Sequence, residues 1–457
     1  MARFKEQGGV STMDPPPYKR WIASQMLKNY VSFAGTDKRR IKEEKKRVQE
    51  KSPHRVEYFH YVDDPYSHLA AQILQAFVAR YNIELSCYLV SEPPGDNAPE
   101  LDMLMKLSRY DAHQIADYYG LAFAQRSDPP DRQLSQAANA ILSAQDSDHF
   151  VACAAQVGQA LWSDDKKNLQ ALDKQYGSLA SHEVAEKIAI GNARRAQLKH
   201  YSGAMFYYAG EWYWGVDRLY HLETRLAELN ADSQLGQPLI APRPETPAGP
   251  LRDNGTLTLE FFPTLRSPYS SIVFDRTVAL TKATRVALVL RPVLPMVMRG
   301  VPTTAIKGPY IFWDTGREAR VAGVPFGNIY DPVGEPVRLC CSLLPWATEQ
   351  GKAVELMSAF YACAFVNGIN TNNTRGLRKV VEQAGLDWHQ ARARLGDPEG
   401  ERMLEENRLC LYDAGIWGTP SFRLLNADGT ELLALWGQDR LWRIADEIQR
   451  QLRKGKT

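Results

Sequence analysis

A short turn that occurs twice, each time between an apolar strand and an apolar helix, is the feature that most constrains this fold. The triplet Pro-Tyr-Ser stands at residues 65–67, after the apolar run 56–62, and again at 268–270, after the run 257–262. Proline is favoured at the first position of a helix, where its missing N–H costs nothing. The chain is therefore predicted to contain two strand-to-helix turns in two related halves.

The two halves also share the order of their predicted elements. After the turn, each half continues with a helix, a second strand, a long helical stretch, a two-stranded hairpin and a last helix. A Trp-Gly-x-Asp-Arg-Leu sequence closes the hairpin at 214–219 and again at 436–441. Two parallel strands joined by a crossover helix and followed by an antiparallel hairpin form an α/β unit. We predict one such unit, with a helical insertion, in each half.

Composition shifts divide the chain into four predicted segments. Residues 1–54 are polar and basic and are interpreted as a helical extension, in which the charge run 38–47 is a solvated helix. The first α/β domain is predicted at 55–229 and the second at 255–457. Between them, residues 230–254 carry five prolines, which favours a semi-extended linker outside either core.

Composition also excludes several classes of protein. The net charge of +2 gives no argument for nucleic acid or a membrane surface, and no apolar run approaches the length that spans a bilayer. The start of the chain lacks the apolar core of a secretory signal. The six cysteines form no Cys-x-x-Cys, and the histidines have no metal-ligand spacing. We expect buried, reduced thiols, no metal and a cytoplasmic location.

The second half resembles the 2-hydroxychromene-2-carboxylate isomerases and the kappa-class glutathione transferases, which share a DsbA-like thioredoxin fold with a helical insertion. The resemblance covers about residues 257–452. The motifs that carry it are the turn 267–270, Arg-Pro at 291–292, Lys-x-x-Tyr at 307–310, Ala-Gly-Leu at 384–386 before Asp-Pro-Glu at 397–399, Gly-Thr-Pro at 418–420 and Gly-Gln-Asp-Arg at 437–440. It implies an α/β chain of two tandem thioredoxin-like (DsbA-like) domains, in which the first is a degenerate copy.

The resemblance also implies a site. In these families the serine before Pro-Tyr favours the ionised sulfur of glutathione, which makes Ser267 the expected catalytic residue and glutathione the co-substrate. A helix N-terminus suits this task because its unpaired N–H groups and partial positive charge stabilise an anion. The residues expected to contact glutathione are Lys307, Thr419, Pro420, Gln438 and Asp439. Those expected to line the substrate pocket are Tyr269, Tyr310 and Trp417.

Each of these residues also has a purely structural interpretation. Ser267 before a proline is a common N-cap, and Gln438 with Asp439 can cap the last helix. Lys307 can be an ordinary surface lysine and Trp417 a core aromatic. Pro420, expected as the cis proline of the family, can instead be a trans residue ending a loop.

The sequence departs from the family at three places that bear on function. The first half has Asp64 where the second has Ser267, and Ala204 where the family has a proline. The segment 299–304 lacks the asparagine that contacts glutathione in the family. Two functions stay open: a glutathione-dependent isomerase or transferase acting on a small molecule such as an aromatic acid, and a non-catalytic binding module built as an intrachain pseudo-dimer. A dithiol oxidoreductase is disfavoured because neither turn has a cysteine.

Overall fold

The computed structural model describes residues 4–5, 14–126, 128–301 and 304–454. They divide into two compact units. The first unit comprises residues 38–244, and the second comprises residues 245–454 together with the described residues up to Asp37. Each unit contains helices and one four-stranded sheet, so the predicted α/β class is confirmed.

The first two described helices are α1 (Pro17–Val31) and α2 (Phe33–Gln49). The sheet of the first unit has the strands β1 (Arg55–His60), β2 (Glu84–Leu89), β3 (Met205–Tyr208) and β4 (Glu211–Trp214). Its further helices are α3 (Pro65–Arg80), α4 (Leu101–Ala116), α5 (Arg132–Ser143), α6 (Ser147–Trp162), α7 (Lys166–Tyr176), α8 (Ser181–Gln197) and α9 (Gly215–Glu228).

The second unit follows the same plan. Its strands are β5 (Leu257–Phe262), β6 (Ala287–Leu290), β7 (Ser421–Asn426) and β8 (Glu431–Trp436). Its helices after α1 are α10 (Pro268–Thr284), α11 (Lys307–Ala322), α12 (Glu335–Ser342), α13 (Leu344–Glu349), α14 (Ala353–Tyr361), α15 (Thr374–Gln383), α16 (Trp388–Ala393), α17 (Pro398–Asp413) and α18 (Leu441–Lys454). No described helix is both long and apolar enough to cross a membrane.

The two sheets have the same strand order. It is β2-β1-β3-β4 in the first unit and β6-β5-β7-β8 in the second, with a parallel first pair and antiparallel pairs after it. Each parallel pair is joined by a crossover helix, α3 or α10, and each sheet receives its hairpin after a helical insertion. Because β1 and β5 lie in separate sheets, the prediction of two α/β units is confirmed.

Equivalent aromatic residues fill the centre of each sheet. Tyr58 of β1 stacks on Phe206 of β3 with ring centroids 4.7 Å apart, and Phe261 of β5 stacks on Phe422 of β7 at 5.0 Å. All four side chains are fully buried. Stacked pairs on adjacent antiparallel strands stabilise a sheet beyond the area that they bury.

The apolar runs predicted as strands agree with the structure to within two residues, since 257–262 is β5 and 56–62 overlaps β1. Both Pro-Tyr-Ser triplets begin a helix, α3 or α10, as predicted. After the second hairpin, residues 438–440 form a 3₁₀ turn, and the last helix, α18, begins at Leu441.

The proline-rich segment 230–254, predicted as a linker outside either core, is hydrogen-bonded to both units. Its first part is fixed to the first unit, where buried Asp232 accepts from Arg80 at 2.8 Å and the N–H of buried Ala241 donates to Glu223 at 3.0 Å. Its last part is fixed to the second unit, where the N–H of Leu251 donates to Gln449 at 3.0 Å. The backbone of this segment is therefore hydrogen-bonded to core side chains on both sides of the boundary at 244.

Residues 14–54, predicted as part of one extension, are divided between the two units. α1 packs on the second unit through Arg20, which is 1% exposed and donates to the carbonyls of Asp331, at 3.2 Å, and Val333. Ser24 accepts from the N–H of Asp331 at 3.0 Å. α2 crosses the boundary and has no buried residue, as expected for a solvated helix.

Replacing Arg20 by alanine is expected to destabilise the second unit by about 2 kcal/mol, because it leaves two buried carbonyls without their charged donor. Lys19→Ala is the matched control on the exposed side of the same helix and is expected to change stability by less than about 0.5 kcal/mol. Chemical denaturation followed by circular dichroism measures both. Equal effects of the two substitutions would show that α1 is not anchored by Arg20.

Candidate functional site

The turn of the second unit is held by two serines. β5 ends at Phe262, and the N–H of Thr264 donates to Oγ of Ser270 at 3.2 Å. The N–H of Ser270 in turn donates to Oγ of Ser267 at 3.2 Å, so Ser267 is the N-cap of α10. Among the described residues, the hydroxyl proton of Ser267 has no acceptor. Ser267 thus caps the helix with its oxygen and keeps one proton for a further hydrogen bond.

The predicted cis peptide is confirmed at Thr419–Pro420. The register of the sheet pairs Phe262 at the end of β5 with Ser421, so the cis proline lies beside the exit of the strand that leads to Ser267. The carbonyl of Pro420 accepts from the N–H of Gly437 at 2.9 Å. This bond joins the cis-proline turn to the segment that carries Gln438 and Asp439.

A buried polar network on α11 links two of the predicted site residues. The hydroxyl of Tyr269 donates to Oδ2 of Asp314 at 2.6 Å, and Arg317 donates to Oδ1 of the same carboxylate at 2.8 Å. One helical turn further on, Glu318 accepts from Nε2 of Gln438 at 3.0 Å. Asp314 and Glu318 are 0% and 1% exposed. α11 therefore fixes both the ring of Tyr269 at the first turn of α10 and the amide of Gln438.

This arrangement changes what Gln438 can offer a ligand. Its amide nitrogen faces Glu318, because a carboxylate accepts only donors. Its Oε1 is buried and has no partner among the described residues. Gln438 is 3% exposed, whereas Asp439 is half-buried. Asp439 is thus the more accessible residue of the pair.

Lys307, Tyr310 and Trp417 lie in different environments. Lys307 is the first residue of α11 and half-buried, and burial lowers the pKa of its ammonium to about 8. Tyr310 is on the same turn and is buried. Trp417, predicted to wall the substrate pocket, is 1% exposed and contacts Trp436 with ring centroids 5.0 Å apart. The structure therefore places Trp417 in the interior. The segment 299–304, with its missing asparagine, lies partly outside the described residues.

One part of the site was not predicted from the sequence. Arg266, directly before Ser267, donates to both carboxylate oxygens of Asp331 at 3.2 Å. The backbone of Asp331 is the same backbone that α1 binds through Arg20 and Ser24. Helix α1 therefore supports the turn of Ser267 through Asp331. These residues are far apart in the sequence, so no local pattern predicts the contact.

The turn of the first unit has the same frame and different chemistry. Oγ of the buried Ser67 accepts from the N–H of Tyr61 at 3.1 Å, as Ser270 accepts from Thr264, and also from the N–H of Ala204 at 2.9 Å. Asp64 accepts from the N–H groups of Tyr66 and Ser67 and from Oγ of Ser67. Burial raises the pKa of Asp64 to about 6. The carboxylate has no proton to donate at neutral pH, so this turn is unsuited to a thiolate.

A further contact repeats between the units. The hydroxyl of Tyr66 donates to Asp111 on α4 at 2.7 Å, and the hydroxyl of Tyr269 donates to Asp314 on α11 at 2.6 Å. The two pairs have the same sequence separation, 45 residues. The tyrosine of the Pro-Tyr-Ser triplet thus has one structural task in both units, which is to bind the helix that follows the second strand.

The cysteines lie away from both turns, and all six are free. Burial raises the pKa of the Cys341 thiol to about 12 and that of Cys153 to about 11. The described residues include no group of three or more side chains that could hold a metal ion. An open pocket of about 730 Å³ lies on the first unit, lined by residues that belong to neither turn, among them Arg126, Trp162 and Asp164.

Comparisons with known proteins agree with this geometry. Residues 258–449 match the family model of the DSBA-like thioredoxin domain, so the second unit contains a DsbA-like thioredoxin domain. A comparison with curated proteins finds no match.

Solved structures give distant similarities. A 2-hydroxychromene-2-carboxylate isomerase is 17% identical, with 44% of this chain and 98% of that chain covered and a TM-score of 0.36. A probable DsbA oxidoreductase from Streptomyces coelicolor is 17% identical, with 43% of this chain and 91% of that chain covered and a TM-score of 0.33. The assignment of the domain rests on the family match rather than on these two structures.

The raised pKa of Asp64 predicts a pH dependence of stability. The folded state binds the proton more tightly than the unfolded chain, whose aspartate titrates near 3.8. The resulting stabilisation is fully present below about pH 4 and is lost as the pH rises through about 6. Over two pH units the loss amounts to roughly 3 kcal/mol. We expect Asp64→Asn to remove this loss, which denaturation at a series of pH values measures.

Asp131, the exposed N-cap of α5, provides the control. Asp131→Asn leaves Asp64 in place and is therefore expected to keep the loss of unfolding free energy between about pH 4 and 6. If the curve of Asp64→Asn also ran parallel to that of the wild type between pH 4 and 6, the carboxyl of Asp64 would not be buried as described.

Proposed function

We propose that the second unit binds glutathione with its sulfur at the N-terminus of α10, and that it acts as a glutathione-dependent isomerase or transferase of the 2-hydroxychromene-2-carboxylate isomerase and kappa type. The observation that carries this proposal is the hydroxyl of Ser267. It accepts from the N–H of Ser270, and its own proton has no acceptor among the described residues.

The physical basis is the stabilisation of an anion. A thiolate at the start of α10 would meet the partial positive charge of a 17-residue helix and the hydroxyl proton of Ser267. A charge-assisted hydrogen bond of this kind is about twice as strong as a neutral one. Both effects lower the pKa of the bound thiol and raise the fraction of nucleophile at neutral pH.

Other residues would orient the tripeptide. The half-buried carboxylate of Asp439 would pair with the ammonium of the γ-glutamyl end, and Gln438, whose amide nitrogen donates to Glu318, would hold the backbone that carries Asp439. The backbone of Thr419, before the cis Pro420, would bind the cysteinyl part. Lys307 stands at the first turn of α11, where an ammonium with a pKa of about 8 would attract a carboxylate of the ligand or of an acidic substrate.

When bound, the glutathione thiolate supplies a nucleophile that adds to a conjugated C=C bond and leaves after that bond has rotated, so that no atom or electron is consumed. The protein activates and positions this nucleophile. Tyr269 and Tyr310, near the start of α10 and α11, would contact the aromatic or unsaturated acid. All six thiols are free, which supports a reducing, cytoplasmic location.

A second function is favoured by a different observation. At the turn of the first unit, Oγ of Ser67 donates to Asp64 and accepts from the N–H of Ala204, and the carboxylate of Asp64 has no proton to donate to a thiolate at neutral pH. That favours a structural role for the first unit. In this alternative the two units form a pseudo-dimeric, non-catalytic binding module.

Glutathione binding tests the proposal. Ser267→Ala should weaken the binding of reduced glutathione by about tenfold or more at neutral pH, because a hydrogen bond to a charged group is worth about 1.5–3 kcal/mol. It should also raise the pKa of the bound thiol, measured from thiolate absorbance. Ser271→Ala is the control, since the hydroxyl of Ser271 donates to the carbonyl of Pro268 within α10.

Calorimetry on the wild type and both variants separates the two functions. Equal affinities for Ser267→Ala and Ser271→Ala would exclude Ser267 from the binding of sulfur. If the wild type shows no heat of binding at millimolar glutathione, the enzyme is excluded and the binding module remains.

The serines at 267 and 270 also predict that the protein does not catalyse disulfide formation or reduction. A serine pair at 267 and 270 cannot form a disulfide, so the protein should reduce insulin no faster than the background reaction. Cys340→Ala together with Cys341→Ala is the control for thiols elsewhere. Turnover that persists in this double variant would contradict the assignment of the turn.

A further inference from the structure

A buried arginine without a carboxylate partner lies in the second unit, beside the cis-proline turn. Arg299 ends the 3₁₀ turn that follows β6 and is 3% exposed. Its Nη2 donates to the carbonyl of Trp417 at 3.1 Å, whereas its Nε is buried and has no partner among the described residues. Its Nη1 also donates to no described residue, but it is not fully buried. This nitrogen is therefore the part of the guanidinium that a ligand can reach.

The charge of Arg299 is not neutralised by the carboxylate near it. Glu405 is close enough to raise the pKa of Arg299, but both of its oxygens accept from Arg408, at 2.6 and 2.7 Å. Burial, together with the positive charge of Arg408, lowers the pKa of Arg299 to about 10, so the guanidinium is still charged at neutral pH. Burying a charge is costly unless it is paired. Arg299 is thus a buried cation whose counter-ion is missing from its surroundings.

Arg299 belongs to the segment that runs past the exit of β5. The N–H of Val293, in the same segment, donates to the carbonyl of Pro263 at 3.0 Å, and Pro263 stands four residues before Ser267. Both strands of the parallel pair, β5 and β6, end at this edge of the sheet. Ligands of α/β sheets bind beyond the carboxyl ends of the parallel strands. Arg299 and Ser267 therefore lie on loops at the edge where a ligand is expected.

Arg299 also holds the cis-proline turn. The carbonyl that it binds belongs to Trp417, two residues before Thr419 of the cis peptide. Successive Cα atoms are about 3.8 Å apart, so two residues span at most about 8 Å. A group bound to Arg299 would therefore lie close to the backbone of Thr419, which is the part of the turn that would bind glutathione.

The turn of the first unit that corresponds to Met296–Arg299 has no cation. It is Gly95–Asn97, which follows β2 and contains glycine, aspartate and asparagine. The two units share the frame of the strand-to-helix turn, but the buried guanidinium occurs only beside Ser267 and not beside Asp64. A residue needed for the frame alone would be expected in both units. This difference favours a role for Arg299 in binding a ligand.

We propose that Arg299 binds a carboxylate group of the ligand in the second unit. The inference rests on the proposed function and names a chemical group that the site recognises. A guanidinium suits this task because its N–H donors match the two oxygens of a carboxylate. The carboxylate can belong to the acid substrate or to the glycyl end of glutathione, and its chemistry is the same in both.

Two pairs of probes of similar shape measure the recognition of a carboxylate. trans-Cinnamate and trans-cinnamamide represent the acid substrate, and reduced glutathione and its glycine-esterified monoethyl ester represent the tripeptide. Calorimetry on the full chain should show that the wild type binds the carboxylate member of one pair at least about tenfold more tightly than the uncharged or esterified member. A preference of this size is what one hydrogen bond to a charged group provides.

Arg299→Gln is the decisive variant, because glutamine can still donate to the carbonyl of Trp417 but carries no charge. It should reduce the preference for the carboxylate probe to less than about threefold and leave the affinity for the other probe within about twofold. Arg378→Gln is the matched control, since Arg378 is exposed on α15 and pairs with Glu382 at 2.6 Å. Its preference should equal that of the wild type.

Circular dichroism of each variant must match the wild type. If Arg299→Gln does not fold, Arg299→Lys takes its place, because lysine keeps the charge but lacks the planar fork of N–H donors. The preference should then fall by at least about threefold. A wild type without a preference in either pair would overturn the proposal, and so would a preference that substitution of Arg299 leaves unchanged.

The same titrations separate this inference from the proposed function. The pair in which the preference depends on Arg299 identifies the source of the carboxylate. If glutathione does not bind but the preference for cinnamate depends on Arg299, the inference stands and the glutathione-dependent enzyme is excluded. If glutathione binds and neither pair shows a preference, the inference is wrong and the proposed function is unaffected. No binding of any probe at millimolar concentration would overturn both.

Discussion

Both units depend on one buried hydroxyl at the first turn of a helix. Ser67 and Ser270 are fully buried, and each accepts an N–H from the chain that leaves the first strand. This bond fixes the angle between strand and helix, and it places the residue before Pro-Tyr at the helix N-terminus. The hydrogen-bonded frame is therefore the same in both units. What differs is the residue that the frame presents, Asp64 in one and Ser267 in the other, and the burial of that residue, since Asp64 is buried and Ser267 is half-buried.

The fold was largely predictable because its signals are local. The prolines that begin α3 and α10, the apolar runs of the strands and the residues of the two hairpins each predict an element at the same place in the sequence. The N-cap Ser267 was predictable for the same reason, whereas the cis Pro420 was expected from the family resemblance. The role of Glu318 was not predictable, because it depends on which helix packs against the turn, and for Trp417 the sequence left a pocket wall and a core position open. The anchoring of α1 through Arg20 depends on contacts more than 300 residues apart in sequence.

The same physics explains why the two turns differ in chemistry. At Asp64, burial opposes the charged form and raises its pKa to about 6, while hydrogen bonds from Tyr66 and Ser67 occupy its oxygens. At Ser267 the oxygen caps the helix without carrying a charge. A neutral cap with a proton to donate allows the helix N-terminus to receive an anion, whereas a carboxylate already fills that role.

The most direct test of this account places a thiol at each turn. Burial raises the pKa of the native thiols, Cys87 and Cys410 included, so they should alkylate slowly at mildly acidic pH. Ser267→Cys should introduce a thiol with a pKa below about 7, as cysteines at helix N-termini have. Asp64→Cys should introduce one with a pKa at or above the usual value of about 8.5, because position 64 is buried and burial opposes the charged form there, as it does for Asp64. Alkylation rates against pH, read for each cysteine by mass spectrometry, measure both values. A pKa that is equally low at both turns would contradict the distinction between the units, and an unshifted pKa at 267 would contradict the thiolate site itself.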